Sequence, residues 1–128
     1  MVNNKLFLFH WKKDEVKEYA EPLRRQGWEV EVECEDGARG AKAVKLDPPQ
    51  VVVFYLTRLP SHSLSTADHI AQTRSLRQIP LLFVGGEAEV IAKTKQKIPS
   101  GLFINPEDLL KTLKSIKNKG KFSRTKAS

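Results

Sequence analysis

Apolar and polar positions along this chain fall into blocks that switch between two periods. Leu6, Phe7, Leu8 and Phe9 follow Lys5 as a short unbroken apolar run. Such a run predicts a buried strand. From Asp14 onward, Val16, Tyr19, Ala20 and Leu23 recur at the i, i+3, i+4, i+7 spacing of one helix face. Pro22 sits inside that pattern and removes a backbone N–H, so a bend or an early end of the helix is expected. Gly27 is a natural stop. Residues 28–34 then alternate strictly. Trp28, Val30, Val32 and Cys34 face one way and Glu29, Glu31 and Glu33 the other. This is the pattern of a half-exposed strand near a sheet edge.

Asp36 and Gly37 open a second helix, in which Ala38, Ala41 and Val44 lie at helical spacing, Leu46 completes the face, and Asp47-Pro48-Pro49 ends the element. Residues 51–56 are apolar with no polar alternation, as expected of a central parallel strand covered on both faces. A loop is expected over 58–65 and a helix over 66–78, with Ile70, Ala71 and Leu76 inward. Residues 79–84 form a fourth strand, with Pro80 tolerable at its start. Gly85 and Gly86 break it, and a helix over 87–97 turns Val90 and Ile91 inward. Residues 102–104 are a short fifth strand. Asn105, Pro106 and the acids Glu107 and Asp108 make a strong helix start. Leu109, Leu110, Leu113 and Ile116 form the buried face of the last helix.

Five strands, each followed by a helix, predict one α/β domain with a parallel sheet and helices on both faces. The expected architecture is a doubly wound (βα)5 three-layer α/β/α sandwich, flavodoxin-like, with strand order 2-1-3-4-5. That order puts the glutamate-bearing second strand at an edge. The domain is expected over 1–117, with a basic tail over 118–128.

Composition changes this picture in one respect. The net charge of +7 in 128 residues is not spread evenly. From Leu109 onward come Lys111, Lys114, Lys117, Lys119, Lys121, Arg124 and Lys126, and no acid. The rest of the chain balances 15 basic residues against 15 acidic ones. The last helix and tail are therefore a candidate for weak, nonspecific attraction to nucleic acid or another polyanion. Lysines also suit a helix C-terminus without any ligand. The lone Cys34 can form no internal disulfide and is expected to be buried and inert. No apolar run reaches the length of a membrane span, and a cytoplasmic location follows by default.

Several motifs resemble the response-regulator receiver (CheY-like) family, in order and over nearly all of residues 5–117. Asp36-Gly37 with its alanine-rich helix resembles the second receiver helix. Asp47-Pro48-Pro49 before Val51 looks like the entry to the third strand. Arg58-Leu59-Pro60 sits where receivers usually have Met-Pro, Ile79-Pro80 opens a similar fourth strand, and Asn105-Pro106 resembles the Lys-Pro after the fifth. The resemblance implies a Mg²⁺ site and a phosphoacceptor aspartate, and the residues depart from both. The first strand ends in His10 and Trp11 rather than acids, and the third in Tyr55 or Leu56. Gly85 replaces the hydroxyl residue, and Asn105 replaces the lysine. No carboxylate remains to form an acyl phosphate, and the hard oxygen ligands Mg²⁺ needs are absent.

His10, Trp11, Tyr55, Thr57, Gly85 and Asn105 are expected to gather at the carboxyl ends of the strands, where open α/β sheets place ligands. His10 and Tyr55 are potential donors to a small anion, and Gly85-Gly86 a potential backbone nest. The competing reading is that His10, Trp11 and Tyr55 pack the emptied acid pocket shut. His62 and His69 offer no metal-ligand spacing. Ser61-His62-Ser63 lacks a nucleophile elbow and an acid partner. Gly85-Gly86 lacks the remaining residues of a phosphate-binding loop. No cofactor and no metal are expected. The sequence thus points to a non-catalytic, phosphorylation-independent pseudo-receiver that contacts a protein partner, or a second copy of itself, through residues 87–117.

Overall fold

The computed structural model describes residues 3–119, with side chains through residue 117. Residues 118 and 119, expected as the start of the tail, continue the last helix, with their side chains outside the described residues; Lys121, Arg124 and Lys126 lie outside them with the rest of 120–128. Five strands, β1 (Lys5–Phe9), β2 (Glu29–Glu33), β3 (Val51–Tyr55), β4 (Leu81–Val84) and β5 (Leu102–Ile104), alternate with five helices, α1 (Val16–Arg25), α2 (Gly37–Leu46), α3 (Pro60–Gln72), α4 (Ala88–Lys97) and α5 (Leu109–Lys119). All pairings are parallel, and the order is β2-β1-β3-β4-β5. This is the expected doubly wound, flavodoxin-like sandwich.

The alternation inside the apolar strands divides them between two cores. Leu6 and Leu8 of β1, Val51 and Val53 of β3, and Leu82 and Val84 of β4 pack under α1 and α5, against Ala20, Leu23, Leu109, Leu113 and Ile116. Phe7, Phe9, Val52, Phe54, Leu81 and Phe83 face α2 and α3, against Ala41, Val44, Ala67 and Ile70. On that second face Phe9, Phe54, Phe83 and Phe103 are in register on adjacent strands. Their rings stack at 4.8, 5.3 and 5.0 Å. This ladder ties four strands together, and each fully buried ring contributes roughly 1.5–3 kcal/mol by burial alone.

Several expectations are corrected. Pro22 neither ends nor shortens α1, which continues to Arg25. The Gln26 amide closes that end on the carbonyls of Pro22 and Leu23, and Gly27 follows at φ +106°. Leu46 does not complete the buried face of α2: it is 76% exposed, and Ala38 is exposed too, while Gly40, Ala41 and Val44 carry the contact. The β3–α3 loop is shorter than expected, because α3 starts at Pro60 rather than residue 66. Proline at the first helical turn costs no hydrogen bond, and Leu59 enters it in the left-handed region at φ +43°. The helix ends at Gln72, and a 3-10 turn (Arg74–Leu76) follows.

Asn105 precedes a 3-10 turn, Pro106–Asp108, without a side-chain cap bond. Leu110 is 42% exposed although its neighbours Leu109 and Leu113 are buried. Cys34 lies just past β2 and is only half-buried, with burial pushing its thiol pKa up. Glu33, on the solvent side of β2 by alternation, is buried instead, because Arg39 binds it.

Candidate functional site

The carboxyl ends of β1 and β3 lie side by side in the middle of the sheet. Residues just past them define the point where the strand order reverses. His10 follows β1, and its amide bonds the Glu33 carbonyl at 3.3 Å, which continues the pairing with β2. The imidazole is fully buried. It stands 4.4 Å from the ring of Tyr19 on α1 and 5.4 Å from that of Tyr55, while Tyr19 and Tyr55 are 4.5 Å apart. The three rings form one cluster.

Glu15, in the 3-10 turn (Lys13–Glu15) that leads into α1, reaches His10 Nε2 at 2.9 Å. It also accepts two bonds from Arg58, from Nη2 at 2.6 Å and from Nε at 3.2 Å. The Arg58 guanidinium, followed by the His10 bond, holds the Glu15 pKa down at about 2. The carboxylate is therefore an acceptor only, so His10 Nε2 carries the proton of this bond. Nδ1 is buried without a hydrogen-bond partner. Burial raises the Tyr55 phenol well above its ordinary value, so it stays neutral.

Trp11 closes the other side. Its indole N–H donates to Ser63 Oγ at 2.8 Å, and Ser63 donates to the Tyr55 carbonyl at 3.3 Å. Its ring lies 5.8 Å from Phe9 and 5.6 Å from His62. Ser63 is fully buried on α3. That position follows from the early start of α3 at Pro60, which brings residue 63 to the inner face.

The expected site residues thus separate into two groups. His10, Trp11 and Tyr55 come together in a packed cluster. Thr57, Gly85 and Asn105 lie at the rim: Thr57 and Asn105 are exposed and Gly85 half-buried. The space beside the Gly85 α-carbon is bounded by Thr57 Cγ2, which a Cβ there would meet at 3.3 Å. Gly85 and Gly86 both adopt positive φ, +69° and +94°. The Gly85 amide is spent on the Ile104 carbonyl at 3.1 Å, so it does not point into a nest. His10 Nε2 is likewise committed to Glu15. Two of the donors expected for a small anion, His10 Nε2 and the Gly85 amide, are thus already in use. Two surface grooves, of about 410 and 520 Å³, lie elsewhere, between α3 and α4 and between α2 and α3.

The donor set at the strand ends does not suit Mg²⁺. The side chains that end β1 and β3 offer an imidazole, an indole and a phenol, where that ion requires several hard oxygens. The carboxylate that reaches His10, Glu15, is engaged by a guanidinium and an imidazole. Among the described residues, no three His, Cys, Asp or Glu side chains cluster as metal ligands. Sequence reading missed Glu15, Tyr19, Arg58 and Ser63. The first two lie within ten positions of His10, but Glu15 and Arg58 are 43 residues apart, and no local pattern links them.

No protein-family model matches this sequence, and no curated protein does either. Solved structures do match by shape. The chemotaxis response regulator CheY4 of Vibrio cholerae superposes with a TM-score of 0.69 at 19% identity, covering 88% of this chain and 97% of that one. The receiver domain of a signal transduction histidine kinase from Syntrophus aciditrophicus gives 0.73 at 12% identity, covering 97% of each. A LuxR-family two-component response regulator from Aurantimonas gives 0.67 at 19%, covering 91% of this chain and 86% of that one. At such identities the likeness is one of fold. In element order, strand order and shape, this chain has the CheY-like fold of the response-regulator receiver domains.

Proposed function

We propose that this chain is a pseudo-receiver: a non-enzymatic, phosphorylation-independent module that acts by binding a protein partner, in the cytoplasm. The observation that carries the reading is the state of the strand ends. The position where a receiver would need free carboxylates is filled by the His10–Tyr19–Tyr55 rings. The carboxylate bonded to this cluster, Glu15, is held ionised and occupied by Arg58 and His10. Attack on a phosphoryl donor needs an unencumbered carboxylate, and this arrangement supplies none.

For the contact surface, the reading favours residues 87–117. Among the described residues β5 pairs only with β4, which leaves its outer edge without a strand partner. Its Leu102, Phe103 and Ile104 are only half-buried, and Leu110 of α5 adds exposed apolar area nearby in sequence. Open edges and exposed apolar side chains are natural places for a partner chain. A second copy is the first candidate.

Two experiments test the proposal. Incubation of the protein with an acyl-phosphate donor and Mg²⁺, read by mass spectrometry, is expected to give no covalent gain. A gain of one phosphate at a carboxylate overturns the phosphorylation-independent reading. Sedimentation at increasing concentration and affinity capture with the full chain test the interaction role. A concentration-dependent dimer or a specific partner, weakened by Leu110→Glu, supports it. A monomer with no specific partner overturns it.

A further inference from the structure

Charge in this domain is segregated along the strand direction, and the segregation is not confined to the tail. Because the sheet is parallel and each helix runs back against it, every helix C-terminus returns to the end where strands begin. Acids mark the opposite end: Asp14 and Glu15, Glu18, Asp36, Glu89, and Glu107 with Asp108 all sit at helix starts. The end where the strands begin (the base of the sandwich) collects the cations. Arg25 closes α1, Lys45 closes α2, Arg74 and Arg77 follow α3, and Lys95 and Lys97 close α4.

Ion pairing sharpens the asymmetry. At the carboxyl end of the strands Arg39 is bound by Glu33 and Glu35, Arg58 by Glu15, and Lys12 by Asp14, while Lys13 and Lys17 beside the α1 start form no ion pair among the described residues. The six basal cations named above are exposed and form no ion pair among the described residues. Asp47 at the base is taken by Lys5. Glu29 is the acid left at a strand start there. Lys117 and Arg24 are also basal: Lys117 donates to the Gln26 carbonyl and lies 5.5 Å from the Trp28 ring centroid, and Arg24 donates to the Val30 carbonyl. Cations come from both helix layers, so they span the thickness of the sandwich.

We propose that the base of the sandwich is a docking face for the phosphate backbone of double-stranded nucleic acid, bound without sequence specificity. Three observations select that occupant. Arginines make up half of the unpaired basal cations, and the guanidinium fork matches phosphate oxygens. A single-stranded ligand is held by aromatic stacking, whereas among the described residues the exposed large hydrophobic side chains are Leu46, Leu59 and Leu110, none of them aromatic. Of these only Leu46 lies at the base, next to Lys45. An anionic membrane surface would need a broader apolar face to insert. Among the described residues no α-helix starts at this end to enter a groove, so binding rests on charge and is expected to fall steeply with salt.

The test uses the full chain and a short duplex of arbitrary sequence, with binding measured by fluorescence anisotropy across a salt series. Arg74→Glu with Arg77→Glu is expected to weaken binding by about tenfold or more. The salt slope should shrink by about 0.9 for each phosphate that the variant no longer neutralises. A tail variant, with Lys121, Arg124 and Lys126 changed to Gln, is expected to retain most of the affinity. Circular dichroism confirms folding, and Lys95→Glu with Lys97→Glu provides a second basal variant in another helix. The proposal is overturned if the wild type fails to bind duplex at low salt. It is equally overturned if the tail variant alone abolishes binding, if both basal variants bind like the wild type, or if phosphatidylserine vesicles bind and duplex does not.

Discussion

Glu15 and Arg58 stand 43 residues apart in the chain and form a two-pronged ion pair at 2.6 and 3.2 Å, and the same carboxylate accepts from the buried ring of His10. The pair joins the segment after β1 to the segment after β3. It therefore fixes the two loops that, in a parallel sheet of this order, frame the usual ligand position.

The pair gives the protein an acid-side stability limit. The pKa of Glu15 is lowered from 4.5 to about 2 by Arg58 and His10, and that of Glu33 is lowered from 4.5 to about 2 by Arg39 and two backbone amides. The unfolded chain therefore binds these two protons more readily than the folded one. Their stabilising contribution is fully present above the unfolded value and is lost as pH falls from about 5 towards 2. Denaturant midpoints are expected to drop over that range. In Glu15→Gln the drop should be shallower and the midpoint at neutral pH lower. An unchanged pH profile in Glu15→Gln would show that the carboxylate titrates alike in both states.

Trp11 and Ser63 form a second tie across the site. Ser63→Ala removes the acceptor at 2.8 Å and leaves a buried indole N–H unpaired, which is expected to cost about 1–3 kcal/mol. Trp11→Phe also removes the donor, and the partner hydroxyl keeps its bond to the Tyr55 carbonyl. Equilibrium unfolding of the two single variants and the double variant should reveal coupling between them.

Gly40 is a packing glycine. A Cβ there would press into the Phe9 ring, coming to 2.8 Å from Cζ and 3.0 Å from Glu33 Cγ. Phe9 is fully buried and stacked on Phe54, so it cannot withdraw. Alanine gains about 1 kcal/mol in helix propensity, and overpacking opposes that gain by about 1–3 kcal/mol. Gly40→Ala is therefore expected to destabilise the protein in urea unfolding. A stabilised variant would mean that α2 can move off the sheet.

Leu46 gives the opposite case. At 76% exposure it contributes little burial, so Leu46→Ser is expected to shift stability by no more than about 0.5 kcal/mol. Val44, fully buried two positions earlier in the same helix, should lose roughly 2 kcal/mol as Val44→Ala. Thermal denaturation of the two variants side by side checks the assignment.

Sequence alone determined the fold. The five strands and the two-sided burial of β3 follow from local periodicity, because a strand covered on both faces must be apolar throughout, whereas a half-exposed edge strand alternates; the order followed from the repeated βα unit and the doubly wound architecture it favours. It also determined which residue types stand at the strand ends, since His10, Trp11 and Tyr55 follow directly from where β1 and β3 stop. Tertiary structure decided what those residues do. Arg58 pairs with Glu15, Ser63 receives Trp11, and the Gly85 amide is consumed by Ile104, all through contacts between segments distant in the chain. Glu33 shows the limit most clearly. Alternation placed it in solvent, yet Arg39 from the following helix folds back onto it and makes its burial tolerable. A periodic pattern records which face a backbone position points to, and only the neighbouring elements determine whether that face is covered and with what charge.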